Sequence, residues 1–338
     1  MNSNSFYFDR LNREEKQIYH AIKEGLLSLS PSFPVPLAEP GTFSELFFKV
    51  RLDNPGIFWA PSFSYSYVRG AENAEFKPEY LFKKKQVLEH RSAMEARVRK
   101  LANAAKALSD VEKEKYIHDI ILTGVKYDKL KKPYSHEIIG PLGQGVGVCE
   151  GIAKSVKILC DAMGIWCIIA VCDNNPDKGI KYRHTWNIIK LGNKYYHLDA
   201  TFDNSLSACG VQRYDYFNIS DSFVFRDHEP AMYPIPECGD SSTAYYAANK
   251  LVFTKYEDLK KRIPQFAKKK KTMVFQWRAG YMTAEVIKDI ISMFNESCPG
   301  HGFRLSINRP QGIFCAEFTD ETGSADVSMQ EANEGEQL

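Results

Sequence analysis

The chain has 338 residues, and 44 Lys and Arg against 42 Asp and Glu leave a formal net charge of +2. A charge that small argues against a dedicated nucleic-acid binder, whose domain is strongly basic, and a composition 44% hydrophobic and 25% charged excludes wholesale disorder. The 21 Phe, 18 Tyr and 4 Trp can fill cores or line a cleft for an extended ligand, and composition alone does not choose.

No run of about 18 apolar residues is present, and the opening MNSNSFYFDRLNREEK has neither a basic n-region nor an apolar h-region. We therefore expect no membrane span and, for the chain as given, a cytoplasmic location. The eight cysteines, Cys149, Cys160, Cys167, Cys172, Cys209, Cys238, Cys298 and Cys315, are irregularly spaced, which suits reduced thiols better than a disulfide scaffold.

In chain order, Asp9 is placed to cap a helix carrying Leu11, Ile18, Ile22 and Leu26 at helical spacing. SELFFKVRLDNPGIFWAPSFSYSYV reads as strand, turn at Asn54-Pro55-Gly56, and a second strand with Phe63, Tyr65 and Tyr67 alternating. Residues 79–108 contain no Gly or Pro and predict a long helix, and Asp110 is placed to cap another over about 111–123. From Cys149, the stripe Ile152, Ala153, Val156, Leu159, Cys160, Met163 predicts a helix over 149–163 that ends at Gly164. IWCIIAVC then reads as a buried strand, and HTWNIIKLGNKYYHLDATFD as two strands turning at Gly192-Asn193. Beyond residue 250, alternating strand and helix patterns predict a small α/β module, followed by an acidic tail over 320–338 expected to lack structure.

A two-residue loop pairs Leu191 with Lys194, and so sets Trp186 opposite Asp199 and His184 opposite Thr201. Side chains alternate along each strand, so His184, Trp186, Asp199 and Thr201 share a face on which an imidazole and a carboxylate can meet. Cys149 falls in the first turn of its helix, where the positive end of the dipole favours a thiolate. Cys149, His184 and Asp199 then suit the roles of nucleophile, general base and acid, and orienting carboxylate in acyl transfer. The backbone N–H of Cys149, with the side chains of Gln144 or Tyr134, is a candidate oxyanion donor.

At these residues the sequence resembles the transglutaminase-like superfamily, a papain-like group of cysteine acyl transferases and peptidases. GVCEGIAKSVKILCDAMGI resembles its nucleophile segment, HTWNII its histidine segment and YYHLDATFD its aspartate segment. FDRLNREEKQIYHAIKEGL, RLDNPGIFWAPSFSYSY and RYDYFNISDSFVFRDHEP resemble flanks of bacterial members, so that the likeness spans roughly residues 6–235. It implies an α+β fold with the nucleophile helix packed on an antiparallel sheet. Residues 1–109 would form an N-terminal, mainly helical region, 110–235 the core and 236–319 the C-terminal module. It also implies Cys149, His184 and Asp199 as the triad, with Trp186 and Asn187 accompanying it.

Other patterns have plainer readings. His197 lies on the hairpin face and is expected to be structural, and His118, His136 and His228 stand alone and receive no role. Cys167 and Cys172 fall on opposite faces of their strand, and no second Cys/His pair has ligand spacing, so neither metal nor other cofactor is expected. The lysine runs at 83–85, 129–132 and 268–271 read as solvated faces. The expected activity is hydrolysis of amide bonds in a peptide or protein substrate. Cross-linking or deamidation of glutamines is the alternative reaction, and a silent interaction module the alternative class.

Overall fold

A computed structural model of the chain describes residues 5–178, 180, 183–207, 210–269, 271–299, 302–319 and 325–330. It is a mixed α and β structure, as the sequence predicts. The N-terminal part begins with the short α1 (Phe6–Asp9) and with α2 (Arg13–Leu27). The cap of α2 is Asn12 rather than Asp9: Asn12 Oδ1 accepts from Glu15 N, and Glu15 Oε2 accepts from Asn12 N. After β1 (Phe33–Pro36) comes α3 (Pro40–Asp53), where a strand was expected. There, Phe43, Leu46, Phe47 and Val50 are all buried, and their spacing is helical. The β propensity of the Phe-Phe and Val residues yields to that period, with Pro40 at the first position. β2 (Ser62–Ser66) and β3 (Asn73–Glu79) follow, β3 lying between β1 and β2, and α4 (Lys84–Ala104) is the long helix anticipated.

The middle part opens with α5 (Asp110–Gly124), capped not by Asp110 but by Ser109, whose N and Oγ donate to Glu112 Oε2. The two-residue β4 (Lys126–Tyr127) pairs with β5 (Val146–Gly147) and leads into α6 (Cys149–Met163), which ends at Gly164 with φ +77° as predicted. β6 (Trp166–Cys172), β7 (His184–Leu191) and β8 (Lys194–Leu198) form an antiparallel sheet. The register is the predicted one, Leu191 with Lys194 and Ile188 with His197. β8 stops at Leu198, because α7 (Ala200–Ser207) begins where the sequence reading continued the strand; Thr201 is therefore helical and not opposite His184. β9 (Phe217–Ile219) completes the sheet beside β8 and precedes the short α8 (Asp221–Val224).

The C-terminal part contains α9 (Tyr245–Ala248), β10 (Val252–Phe253), α10 (Tyr256–Ala267), β11 (Met273–Trp277), α11 (Ala284–Ser297), β12 (Gly302–Asn308), β13 (Ile313–Thr319) and β14 (Ala325–Gln330). Five strands in the order β10-β11-β13-β12-β14 make one sheet. Leu259 and Ile263 of α10 and Ile290 and Phe294 of α11 share a buried core with Phe275, Leu305 and Phe314 of this sheet. Residues 325–330 pair in parallel with β12, against the expectation of an unstructured tail, while 320–324 and 331–338 lie outside the described residues. A different core runs without interruption from Leu11 through Val98 and Val156 to Phe217, so apolar packing does not divide at residue 109.

Candidate active site

Cys149 is the first residue of a 15-residue helix whose preceding residue, Val148, is extended. The helix start is pressed onto the turn 133–136: Val148 N donates to Ser135 O, and a Cβ on Gly151 would lie 2.2 Å from that same carbonyl oxygen. Only glycine permits this approach. Behind the first turn lies a buried charge cluster. Glu150 Oε1 accepts from Lys154 Nζ at 2.8 Å and Arg51 Nη2 at 3.0 Å, and Glu137 Oε1 and Oε2 accept from Arg51 at 2.5 Å and Lys154 at 2.8 Å. Burial works to raise the Glu150 carboxyl, but Lys154 and then Arg51 overcome it and hold the group well below its usual range.

His184 opens β7, and its Nε2 lies 2.6 Å from Asp199 Oδ2. Both side chains are buried. The hairpin brings them together as the register predicts, but Asp199 is more than a strand residue: its Oδ1 accepts from Thr201 N at 2.8 Å and Phe202 N at 3.0 Å, and so caps α7. Burial opposes ionisation of Asp199, yet the His184 charge and the hydrogen bonds from His184 and His228 outweigh it, and the carboxyl is held far below its ordinary value.

His228, to which the sequence reading gave no role, is part of this group. Its Nε2 lies 2.9 Å from Asp199 Oδ2 and its Nδ1 2.9 Å from Asp227 Oδ1. Burial lowers its basicity, but the two carboxylates raise it further, so it is net raised. The neighbouring motif RDHEP gave the only local hint, an acid beside the histidine. His118 and His136 also have partners: His118 Nε2 is 2.9 Å from Asp203 Oδ2, and His136 Nδ1 3.2 Å from Glu150 Oε2.

Trp186 stacks its ring on His184 at 5.9 Å and 14°, while its Nε1 donates to His197 Nδ1 at 2.9 Å. Asn187 Nδ2 donates to Ala153 O of α6 at 3.0 Å and Ile168 O of β6 at 3.3 Å, and so ties the nucleophile helix to the sheet. Gln144 is exposed at the end of the Ile139–Gln144 turn, and Tyr134 is half-buried in the Pro133–His136 turn. Neither side chain makes a hydrogen bond to the triad among the described residues. Lys83–Lys85, Lys268, Lys269 and Lys271 are exposed; Lys270 and Cys209 lie outside the described residues.

Among the described residues, two clusters have the composition of a metal site, His184, Asp199, His228 and His197, Asp221, Cys238. Their hydrogen bonding does not fit one. The Trp186 indole can only donate, so His197 Nδ1 carries the lone pair and its Nε2 carries the proton, aimed at Asp221 Oδ1 at 2.7 Å. Both nitrogens of His228 likewise face carboxylate oxygens, which accept only.

Residues 96–200, which include Cys149, His184 and Asp199, match the family model of the transglutaminase-like superfamily. A solved structure described as a TGase is 12% identical, with a TM-score of 0.27, over 50% of this chain and 49% of its own. A "putative cysteine protease" from Cytophaga hutchinsonii is 16% identical, with a TM-score of 0.26, over 41% of this chain and 61% of its own. A "putative protease" from Parabacteroides distasonis is 14% identical, with a TM-score of 0.25, over 41% of this chain and 36% of its own. The chain thus spans less than two thirds of the length of each. No curated protein matches it. Among the described residues, no helix is long and apolar enough to cross a membrane.

Proposed function

We propose that the chain is a cysteine-dependent acyl transferase whose acceptor is water, cleaving amide bonds in a peptide or protein substrate. The observation that carries the reading is the buried His184–Asp199 pair, 2.6 Å apart, in the same superfamily segment as a cysteine at a helix N-terminus. Asp199 bonds His184 Nε2, which leaves Nδ1 as the nitrogen to serve the nucleophile. The Cys149 thiolate attacks the amide carbonyl, and the imidazolium gives its proton to the leaving amine as the C–N bond breaks. His184 then takes a proton from water, which attacks the thioester and releases the acid and the thiolate. Asp199 stabilises the imidazolium and fixes its tautomer. The Cys149 N–H would serve the developing oxyanion, and the Tyr134 hydroxyl and Gln144 amide are further candidate donors.

The test is the alkylation rate at Cys149 against pH, mapped by mass spectrometry, in the wild type and His184→Ala. We expect a thiolate well below the free-cysteine value of about 8.5 in the wild type, returning toward that value in the variant. An ordinary thiol in both proteins overturns the reading. If Cys149 is activated, incorporation of a labelled primary amine into a glutamine-containing protein, without peptide hydrolysis, would move the assignment from hydrolysis to cross-linking.

A further inference from the structure

The partners of His228 do not belong to one local motif. Asp199 lies just past β8 and Asp227 just past α8, yet each presents a carboxylate oxygen 2.9 Å from one nitrogen of the same buried ring. A carboxylate oxygen only accepts, so both ring nitrogens must carry hydrogen, and an imidazole with two N–H groups is a cation. Asp227 has two further donors in this arrangement. Its Oδ2 accepts from Tyr216 Oη at 2.6 Å and from Gln311 Nε2 at 3.0 Å, while Oδ1 serves His228. Gln311 is fully buried and comes from the segment between β12 and β13, so the C-terminal part helps to hold the acid that holds His228. The other groups facing His228 are His184 of β7, its ring 5.2 Å away, and His197 of β8, whose basicity the His228 charge helps to lower. Trp186 and Phe202 close the remaining sides, with ring centroids 5.1 and 4.6 Å away.

We propose that His228 is a positioning residue of the acyl-transfer site, a standing imidazolium clamped between Asp199 and Asp227 that shares Asp199 Oδ2 with His184 and sets how strongly that carboxylate holds the His184 proton. With a second cation on the same oxygen, Asp199 offers His184 only part of its field. His184 is thereby kept weak enough as a base to release its proton to a leaving amine, although it touches a fully buried carboxylate. Burial magnifies the effect, because a unit charge about 5 Å away at an effective dielectric near 20 moves a pKa by roughly two units, of which the nearby Asp227 carboxylate offsets about half. The raised basicity of His228 agrees with the geometry.

The kinetic part of this inference rests on the acyl-transfer reading; the charge on His228 does not. Two variants remove the cation by different routes. His228→Gln keeps an N–H for Asp199 without a charge, and Asp227→Asn leaves His228 in place but takes away one of its two anions. In both, the alkaline limb of the Cys149 alkylation profile, where His184 loses its proton, is expected to move up by about one pH unit. A purely structural role predicts a lower unfolding temperature with the limb unmoved, and that result overturns the proposal. Nitrogen NMR of the labelled full chain supplies the independent readout. Two protonated ring nitrogens on His228 at pH 8 support the clamp, and a neutral single tautomer at pH 7 overturns it, even if the variants unfold. If wild-type Cys149 reacts as an ordinary thiol while His228 is doubly protonated, the acyl-transfer reading and the positioning role fall, and the clamp itself stands.

Discussion

Replacing Lys154 by Met probes the charge cluster behind the nucleophile. The Lys154 ammonium is fully buried and lies 2.8 Å from both Glu137 Oε2 and Glu150 Oε1, with His136 O as a third acceptor at 3.2 Å. Without it, two carboxylates share the one guanidinium of Arg51, and one buried negative charge is left uncompensated. Breaking a buried pair on one side costs about 3–5 kcal/mol, which for a chain of this size lowers the unfolding temperature by roughly 4–7 °C. The deficit should depend on pH with a definite sign. The folded-state value of Glu150 is depressed, so its contribution is present above the unfolded value of about 4.5 and lost as pH falls through the folded value. Lys154 is the strongest of the influences that depress it, so the deficit should hold from pH 7.5 down to about 4.5 and shrink below that, as pH falls toward the folded value. Urea unfolding of both proteins at pH 7.5 and pH 3 measures this, and adding Glu150→Gln should recover at least half of the loss at pH 7.5. A deficit below about 1 kcal/mol at pH 7.5 would refute the reasoning, as would a deficit of equal size at pH 3.

Other expectations follow from single contacts. Burial raises Glu114 to about 8, against only partial relief from Asn218 Nδ2, which donates to its Oε2 at 2.9 Å. Because the folded value lies above the unfolded 4.5, wild-type stability should fall between about pH 4.5 and 8 on this account. Glu114→Gln should then match the wild type near pH 5 and exceed it by about 2 kcal/mol at pH 8 in thermal or urea unfolding; a pH-independent difference counts against it. Gly151→Ala forces a Cβ to 2.2 Å from Ser135 O, so the first turn of α6 must shift. We expect a cost of about 1–3 kcal/mol and slower Cys149 alkylation, and an unchanged unfolding temperature would show that the turn at 133–136 yields freely.

What could be read from the sequence is what neighbours along the chain decide. The helix from Cys149 to Met163 follows from one uninterrupted apolar stripe and a terminal glycine, and the β7–β8 register from a two-residue turn. These two local facts were enough to anticipate the meeting of His184 with Asp199. Where a local signal competed with another, the reading went astray. In α3, aromatic and β-branched residues suggested a strand, and the helical spacing of Phe43, Leu46, Phe47 and Val50 decided the outcome. At Asp199, the alternation of a strand was carried past the point where that carboxylate accepts from Thr201 and Phe202 and starts a helix.

The missed residue has a different cause, and it explains why the site extends beyond its motifs. His228 and Asp199 are separated by 29 positions, and Gln311 and Asp227 by 84, so no spacing rule links them. They meet where β9 lies beside β8 in the sheet and the segment between β12 and β13 packs against α8, with Gln311 Nε2 also donating to Phe223 O at 3.1 Å. A buried histidine needs its anions supplied by whatever folds around it, and here three separate parts of the chain supply or brace them. Arg226, one residue before Asp227, donates from Nη1 to Pro310 O of the same segment at 3.2 Å, a second tie across the junction. The C-terminal part therefore acts on the candidate active site through hydrogen bonds to Asp227 and its neighbours. Changes at Gln311 should accordingly register in the protonation of His228.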